Sequence, residues 1–371
     1  MIDARELSKG QPGGFRSYLG GLLGGLAEVD GRNEYVLLAE RRIPDGVRLP
    51  AKTEVRTVSR NRLIADRFSV RDAALRARPD VAHFPCNYGC FVPGVPTVIT
   101  LHDCICLDWP ASRGSLKHRL LSAYNERMTR QTVPNADRVI TISEYSRAKI
   151  REHFDLDDRV RVVYQGVSAG AECRNGSGTV PSGRYVLVLA APDPRKNVAK
   201  VVDAFAKTRA RRYGLRLAVV ANHPSGIETC AGRAEALGLG ESVDVLSGVG
   251  DSELRRLYRG ASAFIFASLE EGFGLPPLEA MSEGCPVLSS DASVMPEVLG
   301  DSALYFDPLD ARGLAEKIDS VVGDEGLRES LRAKGLERAS IYSWKKTAAA
   351  TLEVYAELAD HRPVRNSPCG R

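Results

Sequence analysis

Short apolar runs alternate with amphipathic stretches along nearly the whole chain. In the first half EYVLLAE, VAHFP, PTVITLHD, RVITIS and RVRVVYQG predict strands, being rich in Val, Ile and Leu and bounded by turn residues. Between them, FRSYLGGLLGGLAEV and LKHRLLSAYNERMTRQTVP return their apolar residues at helical spacing. The second half repeats the scheme. RYVLVLAAP, LRLAVVAN, VDVLSG, AFIFAS, PVLSS and ALYFD predict strands, and NVAKVVDAFAKTRA, IETCAGRAEALG, DSELRRLYRGA and LPPLEAMSEG predict the helices between them. Strands that alternate with helices form parallel sheets covered on both faces, so the expected class is α/β with two doubly wound domains. GVSAGAECRNGSGTVPSG, residues 166–183, is poor in apolar residues and rich in Gly and Ser, and it reads as the joint between them.

Length agrees with this division, since 371 residues exceed one ordinary domain and suit two. A hydrophobic share of 43% with 26% charged residues excludes a disordered chain, and no apolar run is long enough to span a bilayer. The opening residues MIDAREL lack the basic and apolar segments of a signal peptide, so a cytoplasmic protein is expected. Eight cysteines show no framework spacing. The one cluster, Cys86, Cys90, Cys104 and Cys106, reads as buried thiols in a reducing compartment rather than as a zinc site.

The net charge of +4 is uneven: residues 1–180 carry 27 basic and 21 acidic side chains, leaving 24 and 26 for the rest. Seven arginines fall between Arg56 and Arg78. They read as a solvated helical face; the sharper alternative is an edge that meets anionic headgroups, a peripheral membrane contact, or a phosphorylated partner. Nucleic acid is not expected, because the arginines lack regular aromatic interleaving. The sequence does not specify an oligomeric state.

The candidate chemistry centres on LEEGFGLPPLEAM, Leu269 to Met281, where Glu271 and Glu279 stand eight positions apart. AFIFAS ends a strand, LEEGFG forms the loop at its carboxyl end, and LPPLEAMSEG starts a helix. Prolines suit a first helical turn, whose N–H groups have no intrahelical partner. Glycines let backbone N–H groups approach a ligand without side chains intervening. Glu271 is thereby expected over the strand ends and Glu279 about two turns into the helix. Two acids on either side of an N–H cradle suit a ligand with a central diphosphate and a hydroxyl-rich sugar at each end, which is a nucleoside diphosphate sugar. The plain alternative is a capped helix with two solvated acids.

EEGFGLPPLEAMSEGCPVLSSDASVMPEVLGDSALYFDPLD resembles the signature of the retaining glycosyltransferases of family 4, which have the GT-B fold: two Rossmann-like domains facing a central cleft. The family's E-x7-E motif aligns on Glu271 and Glu279. GGFRSY is similar to its glycine-rich first loop, TLHDCICLDWP to its His-Asp segment, DRVITISEYSRAKI to its last N-domain strand and helix, and PDPRKN to its diphosphate-binding loop. YSWKKTAAATLEVYAEL resembles the closing helix that returns to the first domain. The boundaries implied are 1–170 for an acceptor-binding domain, 171–182 for the linker, 183–343 for a nucleotide-sugar domain and 344–371 for the closing helix.

The resemblance implies a role for each matching position. Lys196 pairs with the donor diphosphate as the leaving group departs, and Arg195 beside it either assists or faces solvent. Glu271 holds the hydroxyls of the transferred sugar and Glu279 those of the ribose. The backbone at Gly272, Phe273, Gly274 and Leu275 binds sugar and phosphate oxygens. His102 serves the anomeric carbon through its ring or its carbonyl, Asp103 orients its loop, and Gly13 and Gly14 let the first loop close over phosphate or acceptor. The catalytic set is then His102, Lys196 and Glu271. The partners implied are a UDP- or GDP-sugar donor and a hydroxyl acceptor that the sequence does not identify.

Two departures stand out. Ala190-Ala191 replaces the pattern in which many members carry a phosphate-binding arginine, and the strand around IDA is short. No DxD-type carboxylate pair is present, so neither cofactor nor metal is expected. A double displacement would need a carboxylate nucleophile near the anomeric carbon; Glu271 resembles a sugar ligand instead, which favours front-face attack assisted by the leaving phosphate. Two other readings compete: a degenerate sugar-nucleotide-binding scaffold, and another GT-B enzyme such as a sugar-nucleotide epimerase or a phosphorylase.

Overall fold

The structure, a computed structural model, describes residues 1–8, 13–109, 116–168 and 181–360. It divides into two compact units, Met1–Gly166 with Ser343–Arg371, and Val167–Tyr342. Most of the expected linker, residues 171–180, lies outside the described residues.

Unit 1 holds a seven-stranded sheet. Its strands are β1 (Ile2–Asp3), β2 (Tyr35–Ala39), β3 (Thr53–Thr57), β4 (Ala82–Phe84), β5 (Thr97–Thr100), β6 (Arg138–Thr141) and β7 (Val160–Val162), in the order β3-β2-β1-β4-β5-β6-β7. Unit 2 holds six: β8 (Tyr185–Ala190), β9 (Arg216–Ala221), β10 (Val243–Leu246), β11 (Ala263–Phe266), β12 (Val287–Ser290) and β13 (Leu304–Phe306), in the order β10-β9-β8-β11-β12-β13. Every strand pairing in the two sheets is parallel. In each sheet the winding reverses once, between β1 and β4 and between β8 and β11, and loops leaving the two strands there part to opposite faces. The expectation of two doubly wound parallel sheets is met.

The apolar pattern explains the cores. Val186 and Val188 on β8, Leu217 and Val219 on β9, and Ile265 on β11 are buried on one face of unit 2 with Val201, Val202 and Phe205 of the helix Val198–Lys207. Full burial of each such side chain stabilises by roughly 1.5–3 kcal/mol before the entropy of ordering is set against it. β3, TEVRT, was not among the expected strands. It is an edge strand paired only with β2, is largely exposed, and shows no apolar run.

The helix Trp344–Asp360 belongs to unit 1. Its Val354 and Leu358 are buried with Val81, Val98, Ile140 and Val163. The Tyr355 hydroxyl meets His83 Nδ1 at 2.6 Å, and Thr347 Oγ1 donates to the Tyr164 carbonyl at 2.8 Å. The helix Gly14–Val29 admits it through small residues. A Cβ on Gly21 would run into the Trp344 indole, and one on Gly25 or Gly166 into the Trp344 backbone. Among the described residues no helix is long and apolar enough to cross a membrane.

Candidate functional site

Unit 2 brings Lys196 and Glu271 together where its sheet reverses. The loop after β8 carries Lys196 and the loop after β11 carries Glu271, and β8 and β11 are adjacent. Asp193 caps the 3-10 turn Pro194–Lys196 by accepting the Arg195 N–H at 3.0 Å, and Asn197 ends that turn in the left-handed region at φ 54°. Asn197 Nδ2 then donates to the Pro308 carbonyl at 2.8 Å, so the lysine stands on a fastened turn.

The Lys196 ammonium is ion-paired with the Glu271 carboxylate and lies 5.5 Å from the centre of the Phe266 ring. Ser268 Oγ donates to the same Glu271 oxygen at 2.6 Å. The Glu271 N–H donates to Ser293 Oγ at 3.2 Å, and Ser293 is itself left-handed at φ 54°. A non-glycine residue held there costs about 1–3 kcal/mol, which marks a position the surroundings over-determine. With side chains 26% and 14% exposed, lysine and glutamate are half sheltered, and their charges act at a lower effective dielectric than in bulk water.

Arg195 does not face solvent. Its guanidinium is paired with Asp193 and donates to the Glu270 carbonyl at 3.1 Å, while the Arg195 carbonyl accepts the Leu269 N–H at 2.8 Å. The residue ties the lysine loop to the glutamate loop.

Beyond Glu271 the chain turns into the helix Leu275–Ser282 through Gly274, left-handed at φ 86°. Its positive φ favours glycine, and a Cβ there would also displace the end of the Met295 side chain. Pro276 and Pro277 carry no N–H, so the unpaired donors of the first turn reduce to Gly274 and Leu275. Gly272 precedes them, buried. The Phe273 ring is buried edge-on to Tyr342, with centroids 5.5 Å apart. The Phe273 ring is thereby committed to packing and is not presented to a ligand.

Glu279 is the fifth residue of this helix, just over one turn in. The expected two turns are corrected to about one: the helix starts at Leu275 as expected, and only four residues separate Leu275 from Glu279. Its electrostatic surroundings differ from those of Glu271. Burial raises its carboxyl above the usual range, Arg255 opposes the rise and Asp251 adds to it. Among the described residues no hydrogen bond or ion pair joins it to Lys196 or Glu271.

In unit 1, His102 follows β5 and is fully engaged. Its Nε2 lies 2.9 Å from the Pro85 carbonyl, which can only accept, so Nε2 carries the proton. Gln165 Nε2 lies 3.2 Å from Nδ1 and donates to it. Burial holds the imidazole down at about 4, and the ring is neutral at pH 7. The Asn87 side-chain oxygen accepts the His102 N–H at 2.8 Å, and Ser146 Oγ donates to the His102 carbonyl at 2.9 Å. Of the two expected routes, ring or carbonyl, only the carbonyl keeps a spare lone pair. Asp103 accepts the Ile105 N–H at 3.0 Å and orients the turn.

Gly13 and Gly14 precede and open the helix Gly14–Val29, and a Cβ on either would meet open space. Phe15, next in the chain, stacks edge-on to His102 at 5.0 Å. Its other surroundings form a cavity of about 80 Å³ where the unit 1 sheet reverses, lined also by Asp3, Arg5, Arg62, Asn87 and Asn125. Both arginines are already held there. Arg5 pairs with Asp3 and Asp66 at 2.7 Å each, and Arg62 donates to the Tyr88 hydroxyl and to Asn125 Oδ1 at 2.7 Å each.

Cys86, Cys90, Cys104 and Cys106 are free thiols, and among the described residues no group of three or more His, Cys, Asp and Glu side chains could hold a metal. Sequence reasoning missed Ser268, Ser293, Asn87 and Gln165. Ser268 ends the quoted strand AFIFAS and Ser293 lies within the quoted signature, but nothing in their spacing shows that they meet Glu271.

Residues 26–170 match the family model described as Glycosyltransferase Family 4, and residues 172–338 match Glycosyl transferases group 1. The serotype-specific mannosyltransferase WbdA of Escherichia coli is 31% identical over 238 residues, covering 60% of this chain and 29% of that protein. The chain thus spans under a third of the length of that relative. O-antigen chain mannosyltransferase B of Escherichia coli is 29% identical over 275 residues, 70% of each. Among solved structures, sucrose-phosphate synthase from Thermosynechococcus elongatus superposes with a TM-score of 0.75 at 19% identity, covering 97% of this chain and 99% of that one. That likeness is one of fold.

Proposed function

Because the chain belongs to the glycosyltransferases of the family 4 type, on the GT-B fold, we propose that it transfers a sugar from a nucleoside diphosphate sugar to an acceptor hydroxyl, retaining the anomeric configuration and using no metal. The observation that carries this reading is the Lys196–Glu271 pair beside the Gly274 and Leu275 N–H groups. The ion pair sits at the reversal point of a doubly wound sheet, where ligands of such sheets bind, and the two backbone donors follow three and four residues after Glu271.

Lys196 supplies the positive charge that a departing diphosphate needs, and its fastened turn means that little reorganisation accompanies the reaction. Glu271, oriented by Ser268 and Ser293, accepts hydroxyls of the transferred sugar. Engaged with Lys196 and Ser268, it is a ligand rather than a displacing nucleophile, which supports front-face attack. Glu279, in its drier setting, accepts the ribose hydroxyls. Arg195 braces the loops and does not bind the donor directly. The His102 carbonyl contributes a negative dipole toward the sugar while its ring stays neutral.

The mannosyltransferases among the relatives make mannose the first sugar to test. Thermal shift with UDP- and GDP-sugars identifies the donor, since a ligand at 100 times its Kd adds about 2.7 kcal/mol. With donor and acceptor in hand, the product should keep the donor's anomeric configuration by NMR and form in the presence of chelator. Inverted product, or activity that returns only with added divalent metal, overturns the mechanism.

A further inference from the structure

Large hydrophobic side chains are exposed unevenly. Among the described residues fifteen are exposed, and nine of them lie between Val55 and Leu121. Six of the nine gather around one buried carboxylate, Asp66. The helix Arg62–Ile64 runs through a π-helical turn, Ala65–Ser69, into the helix Val70–Ala77. Ala65, Val70 and Ala74 face the core, which leaves Leu63, Ile64, Arg67, Phe68 and Arg71 on the outer stripe.

Two other segments are fastened to the same point. Cys90 Sγ donates to the Asp66 carbonyl at 3.0 Å, which brings Phe91 alongside. The Tyr124 hydroxyl donates to Asp66 Oδ2 at 2.7 Å, and Leu120 and Leu121 stand one turn before it on the helix Leu116–Thr132. Leu63, Ile64, Phe68, Phe91, Leu120 and Leu121 are between 42% and 70% exposed. Arg60, Arg67 and Arg71 stand among them, exposed, and enter no ion pair among the described residues. The one acid on the outer stripe, Asp72, is paired with Arg76.

Apolar and aromatic side chains interleaved with uncompensated arginines suit the boundary of an anionic bilayer, where rings and aliphatic chains enter the headgroup layer and guanidiniums meet phosphates. We propose that this face of unit 1 docks reversibly on an anionic lipid surface through Leu63, Ile64, Phe68, Phe91, Leu120 and Leu121, with Arg60, Arg67 and Arg71 as its charged contacts. Arg62 and Asn125, which flank the patch, also line the unit 1 cavity. On the transferase reading above, an acceptor carried on a lipid would then present its head to that cavity.

Flotation of the full chain with vesicles tests this without donor or acceptor, so its outcome is independent of the transferase reading. The chain should float with phosphatidylcholine vesicles containing phosphatidylglycerol, hardly at all with phosphatidylcholine alone, and less as salt rises. Arg67→Gln and Arg71→Gln should each lower partitioning about fivefold. Leu63→Ser with Phe68→Ser should lower it about a hundredfold, since two exposed side chains lose their burial in lipid. The unfolding midpoint without ligand and the circular dichroism spectrum should be the same in all variants, showing that the fold is intact. Absence of flotation, or flotation that these substitutions leave unchanged, overturns the proposal. So does a doubled mass in sedimentation that Phe68→Ser abolishes, which would give the face to self-association.

Discussion

The His102 loop of unit 1 and the Lys196–Glu271 loops of unit 2 both lie beyond the carboxyl ends of parallel strands, and they treat charge in opposite ways. Around His102 the ring is neutral, its tautomer is held by Pro85 and Gln165, and the backbone polar groups already have partners. Around Lys196 an ammonium and a carboxylate are kept ionic, half sheltered, and braced by Ser268, Ser293 and Arg195. The first arrangement presents shape and a dipole; the second presents charge. Two sheets of the same kind thus hold their loops in opposite electrostatic states, because burial that neutralises a histidine would also weaken a charged cradle.

Lys196→Ala should break the charged side of this contrast most severely, lowering the rate by about 10²–10³, as loss of one oxyanion donor does. A loss below tenfold, with circular dichroism unchanged, would show that the cradle's charge is not what drives the reaction. The neutral side is tested by acid. Folding holds His102 at about 4 and His83 at about 3, both below the ordinary histidine value, through burial first. The unfolded chain therefore binds more protons between those values and pH 6.5, and stability falls as pH drops through that window. His102 alone accounts for a loss on the order of 3 kcal/mol. Amide hydrogen exchange, corrected for intrinsic rates, should show unit 1 peptides losing protection before those of unit 2; the reverse order would contradict the contrast.

Within unit 2 the two glutamates sharpen it further. Glu271→Gln should lower turnover about tenfold to a hundredfold while leaving the affinity for a bare nucleoside diphosphate nearly unchanged, because it acts on the sugar that gains charge. Glu279→Gln should weaken that nucleotide's binding severalfold, with a smaller effect on turnover. It should also stabilise the protein at neutral pH. Burial raises the Glu279 carboxyl, so the folded state binds the extra proton and loses stability as pH rises from the unfolded value through the raised one. Glutamine removes that loss, so Tm at neutral pH should rise. Equal effects of the two substitutions on bare nucleotide binding would dissolve the distinction between them.

The architecture was legible because apolar runs and helical periodicity report burial directly, and eleven of the thirteen strands, all but the short β1 and the exposed β3, rest on such runs or on Val, Ile and Leu at their centres. TEVRT escaped since an edge strand needs no apolar run. At the site, the glycines, prolines and both glutamates of the motif were readable from local backbone needs. Gln165 was not, because its partner His102 is 63 positions away and only the folded sheet brings them together. The arginine-rich stretch was read as a solvated face, with an edge that meets anionic headgroups or a phosphorylated partner as the alternative, because seven arginines dominate its charge. Phe68 and Leu63 point the same way as those charges, and that direction depends on a π-helical turn that sequence periodicity does not register.

Both ends of the described chain belong to unit 1, and unit 2 is inserted between Gly166 and Ser343. A ribosome therefore finishes the whole of unit 2 before it delivers Trp344, the side chain that fills the notch at Gly21 and Gly25. At about 5–20 residues per second the helix Gly14–Val29 waits roughly 15–65 s for its neighbour, with part of its apolar surface uncovered. Unit 2 has no such debt and can fold as it emerges. Chaperone demand during synthesis should accordingly concentrate on the half made first, and a circular permutant that places Ser343–Asp360 ahead of Met1 should shorten that interval and aggregate less during translation.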